Sequence, residues 1–135
     1  MSFSFLEHTA DVQVECRADS LAGLLESAAR ALYAVTLREV QSVSDHERVV
    51  EVRAANREEM LIRWLQELNY LLDIEHFVGT QFVFESIKDG GACVRLRGYR
   101  CSAAERAEEV KSATYHELAI QQNDGGFMAR VIFDL

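Results

Sequence analysis

The run Val131-Ile132-Phe133 is apolar, as in a buried strand, and an acidic residue, Asp134, follows it directly. A carboxylate inside an apolar strand is costly unless it is paired or bound to a metal. Leu135 comes next, with the chain's own α-carboxylate. Two anions at the tip of a buried strand ask for a cation. Asp11 is a second candidate, because it opens the alternating segment Val12-Gln13-Val14-Glu15-Cys16. Both aspartates also have plain readings. Asp and Thr stabilise turns through their own side chains, which suits Thr9 and Asp11, and Asp134 reads equally as a solvated chain end. Were Asp11 and Asp134 to meet, they would form an oxygen-rich site with the terminal carboxylate. Oxygen donors without cysteine or paired histidines suit calcium, magnesium or manganese rather than zinc.

Other residues could take part. Lys111 sits between Glu109 and Thr114, just ahead of an expected strand. Most lysines are solvated surface groups, but beside a carboxylate cluster this one would act as a counter-charge. His116 falls within that strand and His8 within the polar interruption Glu7-His8-Thr9-Ala10-Asp11. A lone histidine in such a place is usually structural, although it titrates near neutrality. No nucleophile and base are paired by any local signature. Gly90-Gly91 and Gly125-Gly126 lack a following helix, so they are turns and not phosphate loops. Arg95, Arg97 and Arg100 alternate with Leu96 and read as a small basic stripe or a solvated strand face.

The bulk composition narrows the function classes. Fourteen basic and 22 acidic residues give a net charge of −8, which argues against strong direct binding to nucleic acid, since phosphate neutralisation needs a basic face. A basic partner or a cation fits better. Hydrophobic residues at 49% and charged residues at 27% describe a globular chain, and 135 residues make one domain, 1–135. Three cysteines, Cys16, Cys93 and Cys101, form no CxxC pair. Such an odd set is expected to be reduced and the protein cytoplasmic. No signal peptide and no apolar run long enough for a membrane span is visible.

The elements that must position these residues follow from periodicity. Asp19-Ser20 supplies a helix cap, and Leu21, Leu24, Leu25, Ala28, Ala29, Leu32 and Val35 follow at helical spacing. Val49 to Arg53 reads as a strand. Asn56 with Glu59 resembles a capping box for a second helix through Met60, Leu61, Trp64, Leu65, Leu68, Leu71 and Leu72. Asp89-Gly90-Gly91 joins strands at Phe82-Val83-Phe84 and Cys93 to Arg97. Ser102 to Lys111 is a loop or short helix. A strand over Thr114 to Ile120 is expected to meet Phe127 to Leu135 across the turn at Asn123-Asp124-Gly125-Gly126. This order predicts an α+β fold, a two-layer sandwich of mostly antiparallel strands with two long helices covering sheet faces.

Three segments resemble the archease family, in order and across the whole chain. They are Phe5-Leu6-Glu7-His8-Thr9-Ala10-Asp11-Val12 with the leucine-rich helix after Ser20, then Glu109-Val110-Lys111-Ser112-Ala113-Thr114-Tyr115-His116, then Val131-Ile132-Phe133-Asp134-Leu135. The sequence departs from the family pattern after Gly98, over residues 99–108. The resemblance implies a non-catalytic activator of an RtcB-type RNA ligase, acting in tRNA splicing and RNA repair by promoting ligase guanylylation and repeated turnover. It implies a metal site at Asp11, Asp134 and Leu135, with calcium the usual occupant and manganese or magnesium the other hard cations. Lys111 corresponds to a functional lysine beside that site, and His8 and His116 are candidates for supporting or partner contacts. The residues alone leave two other readings, a metal-dependent enzyme acting on phosphoesters and a chaperone-like binding module.

Overall fold

Ser20 stands in extended conformation ahead of helix α1 (Leu21–Thr36), and its Oγ accepts from the Gly23 N–H at 3.0 Å. This satisfies one of the amide donors that a helix start leaves open. Helix α2 (Arg57–Glu75) is capped reciprocally: Asn56 Oδ1 accepts from Glu59 N–H at 2.8 Å, and Glu59 Oε2 accepts from Ala55 N–H at 3.0 Å. The return bond therefore lands one residue ahead of the cap, where a capping box would use the cap's own N–H. At its far end α2 stops at His76, whose left-handed φ of 58° turns the chain and lets its N–H close on the Leu71 carbonyl. The computed structural model describes residues 1–6, 11–115 and 119–135.

The strands among the described residues are β1 (Ser2–Leu6), β2 (Asp11–Ala18), β3 (His46–Arg53), β4 (Phe77–Lys88), β5 (Gly91–Arg100), β6 (Ser112–Tyr115), β7 (Gln121–Asn123) and β8 (Gly126–Asp134). They form two antiparallel sheets. One runs β1-β2-β8-β6, with β7 also on β8, and the other runs β3-β5-β4. Two helices on antiparallel sheets make this an α+β fold, as the element order predicted. Helix α1 packs on β2 and β8 and also meets β4, while α2 packs on β6 and reaches β3, β4 and β5. Trp64 ties the helices together, fully buried, with its Nε1 donating to the Leu25 carbonyl at 2.8 Å. No helix among the described residues is long and apolar enough to cross a membrane.

One sequence expectation changes. Of the strand expected over Thr114 to Ile120, Thr114 and Tyr115 belong to β6, residues 116–118 lie outside the described residues, Ala119 and Ile120 lie outside any strand, and β7 starts at Gln121. β6 and β7 both pair with β8, at Val131–Asp134 and Gly126–Met128 respectively. The turn at Asn123 to Gly126 does join a hairpin, whose Asn123 and Gly126 pair directly. Of the two readings of the arginines, the solvated strand face holds: Arg95, Arg97 and Arg100 are exposed, and Arg95 pairs with Glu85 and Glu47 from the flanking strands. The Asp89-Gly90-Gly91 hairpin forms as expected between β4 and β5.

Candidate functional site

The tip of the larger sheet gathers segments from three distant parts of the chain. In the β2–β8 ladder Asp11 lies directly opposite Asp134, and in the β6–β8 ladder Ser112 lies opposite the same Asp134. Side chains directly opposite in an antiparallel pair share a face. Asp11, Asp134 and Ser112 therefore form one row across the sheet. Burial alternates along each strand and decides which face it is. Val12, Val14 and Cys16 of β2 and Ala129, Val131 and Phe133 of β8 turn toward the helices, as does Ala113 of β6. The carboxylate row lies on the other face, with Asp11 and Ser112 half-buried and Asp134 exposed.

Backbone bonds hold this row. The Lys111 N–H donates to the Asp134 carbonyl at 2.7 Å, extending the β6–β8 ladder by one step. Leu135 follows half-buried, with its side chain packed against the core. That packing anchors Leu135 beside Asp134. Further along the same face the charges are balanced. Glu15 of β2 accepts from Arg17 Nε at 2.8 Å and pairs with Arg130 Nε of β8 at 3.4 Å.

The structure thus brings Asp11, Asp134, Leu135 and the backbone of Lys111 to one place. Lys111 is exposed, and together with Ser112 and Ala113 it borders a groove against α2. His8 and His116 lie outside the described residues. Among the described residues no three histidine, cysteine, aspartate or glutamate side chains converge as a metal cluster. The acidic side chains the register sets in this row are those of Asp11 and Asp134. The sequence reading missed Ser112, whose hydroxyl row-mates are carboxylates; only the β6–β8 register reveals it. A larger cleft of about 680 Å³ at the β4–β5 hairpin, lined by residues such as Arg53, Lys88 and Cys93, is formed by the other sheet and shares no residue with the tip.

Comparison with known proteins gives the family and the fold. The archease protein family model matches residues 3–135. An archease from Archaeoglobus fulgidus is 34% identical over 137 residues, covering all of both chains. One from Pyrococcus furiosus is 34% identical, covering 96% of this chain and 95% of its own. The solution structure of Methanobacterium thermoautotrophicum protein 1598 superposes with a TM-score of 0.77 at 32% identity, covering 98% of each chain. A crystal structure of a Thermotoga maritima archease, described as a possible chaperone, gives 0.70 at 21% identity over 96% and 94% of the chains, a likeness of fold. With the family matched from residue 3 to residue 135, this chain belongs to the archease family.

Proposed function

We propose that this protein is a non-catalytic, cytoplasmic activator of an RtcB-type RNA ligase, and that its working part is the carboxylate row at the sheet tip. The observation that carries this reading is the pairing of Asp11 with Asp134 in a chain of the archease family. The described donors are hard oxygens, which fit calcium, with manganese or magnesium as alternatives. Asp11, Asp134 and the terminal carboxylate of Leu135 would hold the ion, and Ser112 would border it. A bound divalent cation would neutralise the row and clamp the ends of β2 and β8 together. The description of the Thermotoga relative as a possible chaperone fits a helper better than a catalyst.

In this reading the tip engages the ligase near its nucleotide-accepting centre and promotes guanylylation and repeated turnover. The test mixes the purified protein with its cognate ligase, GTP and manganese. A gain in guanylylated ligase and in turnovers per ligase is expected, and Asp11→Ala and Asp134→Ala should each remove it while the fold survives. No gain from the unsubstituted protein would sink the proposal. Residues added after Leu135 are expected to weaken calcium affinity, measured by calorimetry. Undiminished affinity would remove Leu135 from the ligand set.

A further inference from the structure

The solvent face of the three-stranded sheet ends in a row that runs Arg53, Gly91, Lys88 across β3, β5 and β4. The next row is Glu51, Cys93, Ser86. Val50, Val52, Ala92 and Val94 are buried and turn the other way, so both rows share the face away from the core. They line the cleft of about 680 Å³, a volume within the range of small-ligand sites. Gly91 lies at the centre of its row. Among the described glycines only Gly126 has a positive φ, so the backbone itself does not call for glycine at position 91. A Cβ there would stand 3.7 Å from Lys88 Cε, which places the Lys88 stem across the glycine. Neighbouring strands lie about 4.8 Å apart, so the backbones of Arg53 and Lys88 are separated by about 10 Å. Their long side chains can close over that gap.

The acids nearby are already engaged. Arg53 Nε and Nη2 donate to a single oxygen, Glu51 Oε1, at 3.1 and 2.9 Å, and the Arg53 side chain is still 86% exposed. Asp89, next to Lys88, accepts from Arg57 at 3.0 and 3.1 Å. Glu85 is held by Arg95. Lys88 is exposed and has no ion-pair partner among the described residues. The cleft lining therefore carries two cations and one carboxylate, in a chain whose net charge is −8. We propose that this cleft binds a small phosphate-bearing ligand, with Arg53 and Lys88 on its oxygens above Gly91 and the Ser86 hydroxyl beside it. A guanidinium fork and a lysine point charge both suit phosphate oxygens. A nucleic-acid strand needs a basic track to follow. Here the row beyond Cys93 is Val49, Arg95, Val83, and its Arg95 is taken by Glu47 and Glu85. The positive ground stops after one row, which suits a small anion and not a strand. The site shares no residue with the carboxylate row, so it stands or falls apart from the activator reading.

Cys93 reports on the cleft, because it is a half-buried part of the lining while Cys16 and Cys101 are buried. The full chain is labelled with maleimide in rising pyrophosphate, at an ionic strength held constant with chloride, and mass spectrometry reads each cysteine. A chelator keeps divalent ions from bridging the anion to the carboxylate row. Saturating pyrophosphate should slow Cys93 labelling about threefold or more, and calorimetry should return the same affinity. Lys88→Gln, at an exposed site and with its fold checked by circular dichroism, should weaken that affinity about fivefold or more. Arg63→Gln makes the same charge change on α2, where the side chain is 56% exposed, and should stay within about twofold of the parent. ADP carries the same diphosphate on a nucleoside. ADP binding at least as tightly as pyrophosphate makes the ligand a nucleotide, and weaker binding makes it a free phosphate; both results keep the site. The proposal is overturned by Cys93 labelling that pyrophosphate leaves unchanged, by equal slowing in chloride alone, by Lys88→Gln binding within about twofold of the parent, or by a short RNA without terminal phosphates binding more tightly than pyrophosphate.

Discussion

Asp134→Asn separates the electrostatics of the tip from its architecture. The bond that Asp134 contributes to the sheet comes from its backbone carbonyl, which accepts from Lys111 N–H at 2.7 Å, so the amide side chain leaves the ladder intact. Opposed residues in a ladder hold their Cβ atoms about 5 Å apart. Two unit charges at that distance in water repel by roughly 0.8 kcal/mol, and salt reduces this further. In chelator, Asp134→Asn should therefore match or exceed the parent in stability by up to about 1 kcal/mol. For a chain of this size that is a rise of at most about 4 °C in Tm. Calcium reverses the order. At a hundredfold excess over its dissociation constant, a single bound ion stabilises the native state by about 2.7 kcal/mol, or roughly 10 °C. The variant should lose most of that shift. Differential scanning calorimetry with and without calcium reads both arms. Asp124→Asn is the control, since it makes the same charge change in the β7–β8 turn, at the opposite end of β8. An Asp134→Asn protein less stable than the parent in chelator, or one that keeps the full calcium shift, refutes the reasoning.

Other consequences concern the scaffold. A Cβ at Gly98 would lie 1.7 Å from the Val78 carbonyl oxygen in the facing strand; Gly98→Ala should cost about 3 kcal/mol or more, seen as a lowered urea midpoint or loss of soluble protein. Asn56→Ala removes the N-cap of α2 and should cost about 1 kcal/mol in the same assay. Burial pushes the Cys16 thiol from 9.0 up to about 12, partly opposed by a hydrogen bond from Ser27, so maleimide at pH 8 should label half-buried Cys93 first and Cys16 only on unfolding, as read by mass spectrometry. Because that pKa is raised in the folded state, the associated stability is complete below pH 9 and falls as pH rises toward 12, by about 1.4 kcal/mol per pH unit. Cys16→Ala should flatten that alkaline decline, and an unchanged slope would contradict the assignment.

Local physics made much of this fold legible. The spacing of Leu24, Leu25, Ala28 and Leu32 yields the buried face of α1, and Ser20 and Asn56 cap the helices that follow them. Gly90-Gly91 and Asn123 to Gly126 turn their hairpins as their residue types require. Partnership between distant strands was not legible, because a strand's own pattern carries no address for its neighbour. Arg95 was open to reading as part of a basic stripe because Glu47 and Glu85 belong to other strands. Thr114 to Ile120 read as one strand because nothing in those residues shows that Ala119 and Ile120 leave the sheet between β6 and β7, which both pair with β8. Asp134 stood out as an acid directly after an apolar run, and Asp11 as a turn residue or a ligand. That they face each other emerges only from a ladder joining residues 11–18 to 127–134.

That ladder also explains how the tip is protected from drift. Side chains alternate with a period of two, so a slip of β8 by one residue against β2 would carry Asp134 to the helix face and push Phe133 into solvent. Val131 and Phe133, both 0% exposed, oppose such a slip, as do Val14 and Cys16 on β2. The apolar run before Asp134 and the acid itself therefore form one device. Burial of the first sets the register, and the register places the second opposite Asp11. A conservative change at Phe133 should accordingly disturb calcium binding although Phe133 touches no ion. Phe133→Ala would leave a cavity costing about 3–5 kcal/mol, too much to interpret. Phe133→Leu is the informative substitution, because it keeps an apolar side chain in the register-setting position. With helix content retained by circular dichroism, it should weaken calcium affinity, and repeating Asp134→Asn in that background should have a smaller effect than in the parent. Full additivity of the two substitutions in a double-mutant cycle would show that packing behind the sheet and the carboxylates in front of it are independent, and the register argument would fail.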